Sequence, residues 1–552
     1  MPEINSSTLA FVVTLLEAAG VRYGKLDIAR VSRNTLVNGD YLPYIAIFAT
    51  NFLLWVTWRL IYTTFLNPLR NLPSPPNGSI FTGHGAAVFG KPPGVELHSW
   101  VESVPNDGII YFRSYLNQDS LLLTGPRAFA DVLQRNCYDF EKPPQLRTFL
   151  GRVQGDGLSV VEGGQHKFQR KILNPAFHIR HIKDLYPLFW EKGHVLVDAL
   201  ERSLTAGRSS GVVEMTEWAS RVSMDIIGVA ALGKEFGTLS DPEHPIMLQF
   251  KELFEFTTEG AVYFALSMVL PQSLIEWSPF FKKPKETMGP GVQRLRKAGH
   301  GMLEEKKARR VSEDVDILSV ILRSESFPDE NLVDQLITFL AAGHETTANA
   351  LTWACHLLAT HQTTQTSLRE EIRTAGLLPT AEVNAAKFEA LPLLNGVINE
   401  ALRLFPGAPI LLRECVRAST IQGQYVPRGT QVILCPWAIN RSQQLWGERA
   451  SEFVPERWID TNDEGTSKPN NHGGAESNYS FLTFLQGPRR CIGENFSRAE
   501  LRCLICALVG KFKIEMANPE EKIVTAGIVG LKARDGMHLR LTPLLNPEAL
   551  SS

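Results

Sequence analysis

The sequence predicts a mainly helical protein with small β-sheets. Three observations favour this class. Apolar residues recur at helical spacing over the long middle of the chain, from about 165 to 405. Strand-like runs are short and scattered, at 109–115, 120–124 and 431–435. No internal repeat divides the sequence. We therefore expect one large helical body in which small sheets lie at the edges.

The composition is that of an ordinary globular protein. The chain has 552 residues, of which 44% are hydrophobic and 21% charged, with a formal net charge of −2. A nucleic-acid-binding protein normally has a basic excess, so we expect no nucleic-acid partner. The 7 cysteines are scattered and odd in number. This usage favours a reduced compartment over a disulfide framework.

The first element that we predict is a membrane anchor. Residues 41–58 (YLPYIAIFATNFLLWVTW) contain no charge and are just long enough to cross a bilayer as a helix. Tyrosine and tryptophan near the ends suit the membrane interface. We assign 1–40 to an N-terminal segment and 41–66 to a transmembrane anchor, with a buried core helix as the alternative. An earlier apolar stretch, 9–21, is interrupted by Glu17 and is a second membrane candidate.

A proline-rich connector follows the anchor. Residues 67–78 (NPLRNLPSPPNG) contain prolines that cannot continue a helix and favour a stiff, extended chain. We interpret this segment as a hinge and residues 79–552 as one large domain. Within that domain, 461–478 (TNDEGTSKPNNHGGAESN) is polar and without periodicity, which predicts a surface loop or a disordered insertion.

One cysteine lies in a stretch whose chemistry suits a thiolate. Cys491 belongs to FLQGPRRCIG, residues 484–493, and precedes a predicted helix, GENFSRAELRCLICALVG. A helix N-terminus and neighbouring arginines stabilise a thiolate, glycines let backbone N–H groups approach the sulfur, and Phe484 can exclude water. A thiolate ligand to haem iron has these needs. A protease-like nucleophile is the alternative, although no companion signature accompanies it.

Polar residues interrupt an apolar helical run at 339–349 (FLAAGHETTAN). Glycine, Glu345 and Thr346 in mid-helix cost helix propensity, and threonine hydroxyls can bond backward and bend the helix. A helix opened locally for function has this pattern. The alternative is a polar kink without catalysis.

Two further patterns contain paired charges or candidate anion ligands. Glu400 and Arg403 in NEALRLFP share a helix face at i and i+3. Region 155–178 contains His166 and Arg170, and Arg413 lies in ILLREC. On sequence grounds, Arg170 and Arg413 are each either an anion ligand or a solvated surface residue.

These stretches together resemble the cytochrome P450 superfamily. FLQGPRRCIG is similar to its FxxGxRxCxG signature at every fixed position, which are Phe484, Gly487, Arg489, Cys491 and Gly493. The helix resembles the (A/G)Gx(D/E)T(T/S) pattern, and NEALRLFP followed by PERW resembles the ExxR and PERW motifs. The resemblance covers about residue 70 to the end and implies the cytochrome P450 fold with an N-terminal anchor helix.

The resemblance implies a role for each motif. Cys491 would be the axial ligand of haem b, within a cofactor site that includes Phe484 and Gly493. Thr346 would hold dioxygen and its water network, and Glu345 would relay protons. Glu400, Arg403 and Arg457 of PERW would form a structural lock. The haem propionates would be held by Arg489, Arg170, Arg413 and His166, the last standing where the family's WxxxR helix has tryptophan.

The implied reaction is insertion of one oxygen atom from O2 into an apolar small molecule, by hydroxylation or epoxidation. His166 in place of tryptophan and the anchor–hinge layout resemble microsomal fungal members that act in secondary metabolism, on polyketides or terpenoids. GDGL and NPAFH resemble fatty-acid hydroxylases instead, but Ala342 stands where many of those have a glutamate that forms an ester with haem, so no such link is expected. We expect the substrate pocket to include Phe339, Ala342, Ala408, Pro409 and Ile410.

No dinucleotide-binding fingerprint is evident, so the resemblance implies electrons from NADPH through NADPH-cytochrome P450 reductase. It also implies a single-pass protein of the endoplasmic reticulum membrane with a cytosolic body. Two other classes stay open. A haem-thiolate isomerase or dehydratase needs no redox partner but often lacks the acid–threonine pair, and a haem sensor or carrier has no use for that pair.

Overall fold

The computed structural model describes residues 42–79, 83–88, 90, 92–115, 118–205, 211–254, 258–269, 282–308, 316–377, 383–527 and 530–544. The predicted N-terminal segment 1–40 and its apolar stretch 9–21 lie outside the described residues. Helices dominate the described chain. In chain order they are α1 (Leu42–Ile61), α2 (Gly85–Val88), α3 (Val95–Ser103), α4 (Pro126–Ala130), α5 (Pro144–Gln154), α6 (Gly163–Leu173), α7 (Ile179–Lys183), α8 (Tyr186–Thr205), α9 (Met215–Leu232), α10 (Pro245–Phe254), α11 (Thr258–Val269), α12 (Lys282–Ala308), α13 (Ile317–Leu322), α14 (Asp329–Thr360), α15 (Gln362–Thr374), α16 (Ala385–Glu389), α17 (Pro392–Leu404), α18 (Pro436–Ile439), α19 (Gln443–Trp446) and α20 (Glu494–Lys511).

The described strands are short, as predicted. They are β1 (Ile109–Arg113), β2 (Asp119–Leu123), β3 (Phe140–Glu141), β4 (Val212–Glu214), β5 (Leu411–Cys415), β6 (Ser419–Ile421), β7 (Gln424–Val426), β8 (Gln431–Leu434), β9 (Ile459–Thr461), β10 (Ser467–Pro469), β11 (Phe512–Met516), β12 (Thr525–Ala526), β13 (Lys532–Ala533) and β14 (His538–Pro543). The largest described sheet has the order β1-β2-β8-β5-β3, with β2 and β8 parallel. The three predicted strands are therefore β1, β2 and β8.

Helix α14 runs through the main hydrophobic core and packs against α9, α12 and α20. It follows Pro328 and has Asp329 and Glu330 in its first turn, where carboxylates favour the positive helix end. Its Trp353 is among the largest fully buried side chains. A second core cluster covers the five-stranded sheet. The polar stretch of α14 is thus placed inside the protein by apolar residues on both sides of it in the sequence.

The predicted anchor region 41–66 contains helix α1, in which Leu53, Leu54 and Trp58 are exposed. Within the described part of the chain, no helix combines the length and the apolar character that crossing a membrane requires. The start of the predicted hinge is packed on the body. Leu69 is fully buried, and Asn67 donates from Nδ2 to Asp119 Oδ1 at 2.7 Å.

The polar segment predicted as a loop or disordered insertion, 461–478, is partly ordered. Its first part belongs to a β-hairpin in which β9 and β10 pair antiparallel. Asn470 then donates from Nδ2 to Asp460 Oδ1 at 2.8 Å and is buried. The sequence does not predict this hairpin, because its strands are short and their side chains are largely polar.

Candidate active site

The loop around Cys491 is held by its own backbone. A 3-10 turn, Gly487–Arg489, precedes the cysteine, and helix α20 begins directly after Gly493. The N–H of Cys491 donates to the carbonyl of Phe484 at 2.8 Å, which closes the loop. The side chain of Cys491 is exposed.

A glycine is required at position 487. Its φ is +77°, a conformation that side chains other than glycine rarely adopt. A Cβ there would also lie 1.9 Å from the carbonyl oxygen of Leu133. The signature glycine therefore lets the cysteine loop pack directly on the chain that follows helix α4.

Opposing influences act on the thiol of Cys491. Burial is the largest influence and, together with the carboxylate of Glu494, raises the pKa of this thiol above its ordinary value, although the N–H of Gly493 and the guanidinium of Arg170 oppose the shift. A Cβ built on Gly493 would lie 4.0 Å from the sulfur, so the backbone at the start of α20 is close to it. A coordinated metal cation deprotonates a thiol outright. The surroundings therefore suit a ligand sulfur that is ionised when a metal binds it.

Exposed and buried residues alternate within the polar stretch of α14, residues 339–349. Thr346 and Ala342 are exposed although the neighbouring His344 and Thr347 are buried. The hydroxyl of Thr346 donates to the carbonyl of Ala342 at 2.7 Å, the backward bond predicted for a threonine in mid-helix. Thr347 donates to the hydroxyl of Ser497 at 3.2 Å. That bond joins α14, one residue beyond Thr346, to the first turn of the helix that follows Cys491.

Glu400 and Arg403 form a fully buried ion pair on α17. Arg403 donates to both carboxylate oxygens, from Nε at 2.8 Å and from Nη2 at 2.7 Å. Arg457 of PERW donates to Oε1 at 3.0 Å, and Trp458 donates to Oε2 at 2.9 Å. Burial opposes the charged form of Glu400, but these hydrogen bonds and charges hold its pKa below its ordinary value. The geometry is that of the lock which the resemblance implies.

Arg489 lies in a buried cluster of charges. Its side chain is 5% exposed, it forms an ion pair with Glu162, and its guanidinium lies 4.8 Å from the ring centre of Tyr138. Lys142 donates from Nζ to the same Glu162 at 3.1 Å. Within the described part of the chain, Nε and Nη2 of Arg489 have no hydrogen-bond partner. Sequence reasoning missed Lys142 and Glu162, because FEKPPQ and VVEGG contain no motif.

The other predicted anion ligands border this cluster. His166 is buried beside the hydroxyl of Tyr138, and burial followed by the charge of Arg489 lowers its pKa to about 4, so it is neutral near pH 7. Burial lowers the pKa of Arg413 to about 10. Arg170 donates from Nη1 to the carbonyl of Arg490 at 2.6 Å, which ties α6 to the cysteine loop.

This cluster fits the propionates of a haem. Arg413 and Arg489 are buried and Lys142 is half-buried, and these three cations face one carboxylate, Glu162. Loss of hydration followed by the charge of Arg413 lowers the pKa of Lys142 to about 8. Buried cations without enough counter-charge are costly, and orphaned donors of Arg489 still need acceptors. Two carboxylates of a cofactor would supply both needs.

The predicted pocket residues have different surroundings. Ala342 is exposed on α14, Ala408 and Ile410 are half-buried, and Pro409 is buried. Phe339 is buried with its ring centre 5.4 Å from that of Phe177. Ala342 thus has the surroundings expected of a pocket residue, and contact of the others with substrate stays a prediction.

Comparison with known proteins agrees with this geometry. The family model for cytochrome P450 matches residues 73–538. Cytochrome P450 monooxygenase sphH of Aspergillus fumigatus is 38% identical over 88% of this chain and 90% of its own. Cytochrome P450 monooxygenase FSL4 of Gibberella zeae is 36% identical over 88% and 91%, and FUM15 of Gibberella moniliformis is 34% identical over 88% and 90%.

The mainly helical fold is consistent with that of haem-thiolate proteins, and the chain belongs to the cytochrome P450 family. It is a cytochrome P450 monooxygenase, as the resemblance in the sequence implied.

Proposed function

We propose that this monooxygenase inserts one oxygen atom from O2 into a C–H or C=C bond of an apolar small molecule. The observation that supports this proposal most is a hydrogen bond between helices α14 and α20. The helix that follows Cys491 is hydrogen-bonded to α14 beside Thr346, through Ser497 and Thr347. The sulfur of Cys491 therefore directly precedes a helix that packs against α14, the helix that carries the hydroxyl of Thr346.

Each residue has a part in this proposal. Haem, when bound through the thiolate of Cys491, supplies the activation of dioxygen. Arg489, Arg170, Arg413 and His166 hold the haem propionates, with Lys142 as a further cation. Thr346 and Glu345 on α14 hold and pass the protons that the reaction consumes. Glu400, Arg403 and Arg457 keep the segments that flank the cysteine loop in place.

The acid–threonine pair distinguishes this proposal from the other haem-thiolate classes. An isomerase or dehydratase, or a haem sensor, requires the thiolate and the pocket but no proton delivery. Here Glu345 and Thr346 interrupt an otherwise buried helix, with Thr346 exposed. Threonine lowers helix propensity and a half-buried carboxylate loses hydration, so retaining these two residues costs stability, which is understandable where they serve a reaction.

We further propose a role in fungal secondary metabolism, because the similar proteins named above are fungal monooxygenases. A fatty-acid hydroxylase is the second candidate, and it is favoured only by the resemblance of the stretches GDGL and NPAFH to such enzymes. Product analysis after expression with a reductase, using fatty acids against a panel of terpenoids and polyketides, distinguishes the two.

We also propose that electrons come from NADPH through NADPH-cytochrome P450 reductase and that the protein is attached to the endoplasmic reticulum membrane with its body in the cytosol. The exposed Leu53, Leu54 and Trp58 on α1 support attachment through the predicted anchor region 41–66. Deletion of residues 1–66 should move the protein from the membrane fraction to the supernatant. Retention of the deleted form in membranes would contradict this placement.

The test of the ligand is a difference spectrum of the reduced protein with carbon monoxide. Haem with a thiolate ligand has a distinctive red-shifted Soret band, and Cys491→Ser should abolish it. Cys435→Ser is the control, because Cys435 is a buried, unligated thiol elsewhere in the fold. A wild-type protein that takes up no haem would overturn the proposal.

The test of the proton path is Thr346→Ala. We expect NADPH consumption to continue while product per NADPH falls and hydrogen peroxide rises. Thr352→Ala is the control, because Thr352 lies on the same helix and bonds backward to Ala348 at 2.8 Å but is buried. Unchanged product per NADPH in Thr346→Ala would count against the proposed role.

A further inference from the structure

The C-terminal segment beside α14 is fixed by buried hydrogen bonds. Trp353 of α14 donates from Nε1 to the carbonyl of Leu531 at 2.9 Å, and the N–H of Leu531 donates to the carbonyl of Gly407 at 3.1 Å. Leu531 is fully buried. A Cβ on Gly407 would in turn lie 3.6 Å from Cβ of Thr346. The segment is therefore attached to the same part of the fold as the acid–threonine pair.

This attachment places a lysine opposite the acid. Lys532 follows Leu531 directly, and its Nζ lies 3.9 Å from Oε1 of Glu345. A Cβ on Gly530 would lie 3.2 Å from the same oxygen, so the backbone of the segment also contacts the carboxylate. The Nζ–Oε1 distance exceeds that of a hydrogen bond, so the pair is held by charge alone and can open readily.

Lys532 and Glu345 both lie at the boundary between the protein surface and its interior. The side chain of Lys532 is 35% exposed and that of Glu345 is 26% exposed. His344, which precedes Glu345, is buried, and burial followed by the charge of Lys532 lowers its pKa to about 4. His344 is therefore neutral near pH 7 and does not compete with Lys532 for the carboxylate.

We propose that Lys532 is a positioning residue for Glu345, which holds the carboxylate between solvent and Thr346 so that protons from water reach the reaction in time. The inference rests on the proposed function of Glu345. A partly exposed ion pair adds only a small amount of stability, so we expect a large effect on the course of the reaction and a small one on folding. The protons come from water, and the ammonium of Lys532 keeps its own.

The experiment compares Lys532→Met, Lys532→Arg and the control Lys522→Met. Lys522 is exposed and, among the described residues, its ammonium forms no ion pair. We expect Lys532→Met to lower product per NADPH severalfold, to raise hydrogen peroxide and to change KM little. Lys532→Arg should restore most of the product, since it restores the charge. Lys532→Gln replaces Lys532→Met if the latter does not fold.

A double-mutant cycle gives a readout that is independent of turnover. The thermal unfolding of Lys532→Met, Glu345→Gln and the double variant should show non-additive shifts, since each single change removes the same contact. Additive shifts, or a Lys532→Met protein that couples NADPH to product as well as the wild type does, would overturn the inference. A wild-type protein that binds haem but forms no product would instead overturn the proposed function.

Discussion

Arg403 holds both carboxylate oxygens of Glu400, and neither side chain has any exposed surface. Arg403 also donates to the backbone carbonyls of Asn440, Ala450 and Glu452. One guanidinium thus joins α17 to two segments of the chain that precede the cysteine loop, one at Asn440 and one at 450–452. The position requires the planar fork of arginine, which a lysine ammonium lacks.

Arg403→Lys should therefore destabilise the protein strongly. Removing part of a buried pair leaves a charge without its partners, which costs about 3–5 kcal/mol. We expect a lower midpoint of urea unfolding and a lower yield of haem-loaded protein. The matched control is Arg373→Lys, because Arg373 pairs with Glu370 at the same i, i+3 spacing on an exposed surface. A loss of equal size in both variants would contradict the argument from burial.

Gly487→Ala should prevent the cysteine loop from closing. The new Cβ would meet the carbonyl of Leu133 at 1.9 Å, a clash with backbone that cannot be relieved by a side-chain rotation. We expect loss of the red-shifted Soret band with carbon monoxide.

Gly474→Ala is the control for this change. Gly474 has a similar positive φ, +80°, but a Cβ there has nothing within 4 Å. We expect only the cost of backbone strain, about 1 kcal/mol, and a normal spectrum. If both variants keep their haem, close packing at Gly487 is not what fixes the loop.

Glu500→Gln should stabilise the protein at neutral pH. Glu500 is buried on α20 and accepts a hydrogen bond from Ser223 at 2.8 Å, and burial raises its pKa from 4.5 to about 8. The folded state therefore keeps a proton that the unfolded state releases, so this group lowers stability as the pH rises from 4.5 towards 8. The gain from the amide should be about 1–3 kcal/mol at pH 7 and should vanish near pH 4.5.

The measurement is the unfolding temperature of both proteins across that pH range. Glu520→Gln is the control, since Glu520 is exposed. A gain that stays constant with pH would show that hydrogen bonding or packing, and not ionisation of Glu500, explains the difference.

Acidification should destabilise the protein in part through its buried histidines. Burial lowers the pKa of His356 from 6.5 to about 4, with the charge of His361 as the next cause, and burial lowers that of His344 to about 4. Between these values the unfolded state binds protons that the folded state does not, so stability is lost as the pH falls from 6.5. Each histidine contributes up to about 1.4 kcal/mol per pH unit.

His356→Gln should reduce this dependence. His356 lies beyond the polar stretch of α14, with Nδ1 3.3 Å from the sulfur of Met516. We expect the difference in unfolding free energy between wild type and variant to change between pH 6.5 and 4 and to be constant above pH 7. An unchanged slope in His356→Gln would contradict the assignment.

Contacts between residues close in the sequence were predictable, and contacts between distant residues were not. The cysteine loop, the backward bond of Thr346 and the pairing of Glu400 with Arg403 each join residues within a few positions, so their spacing was visible in the sequence. The helix after Cys491 was predicted from its apolar periodicity in the same way. The hairpin of β9 and β10 was missed, because short polar strands have no such periodicity.

By itself, the sequence determined the chemistry: a cysteine loop, an acid–threonine pair in a helix and an ExxR pair, which together resemble one family. Only the tertiary structure decided which distant residues join them. Lys142 and Glu162 meet Arg489, Trp458 meets Glu400, and Lys532 faces Glu345. The reason is physical, since contacts between distant segments depend on how buried helices pack, and no local pattern of residues encodes that packing.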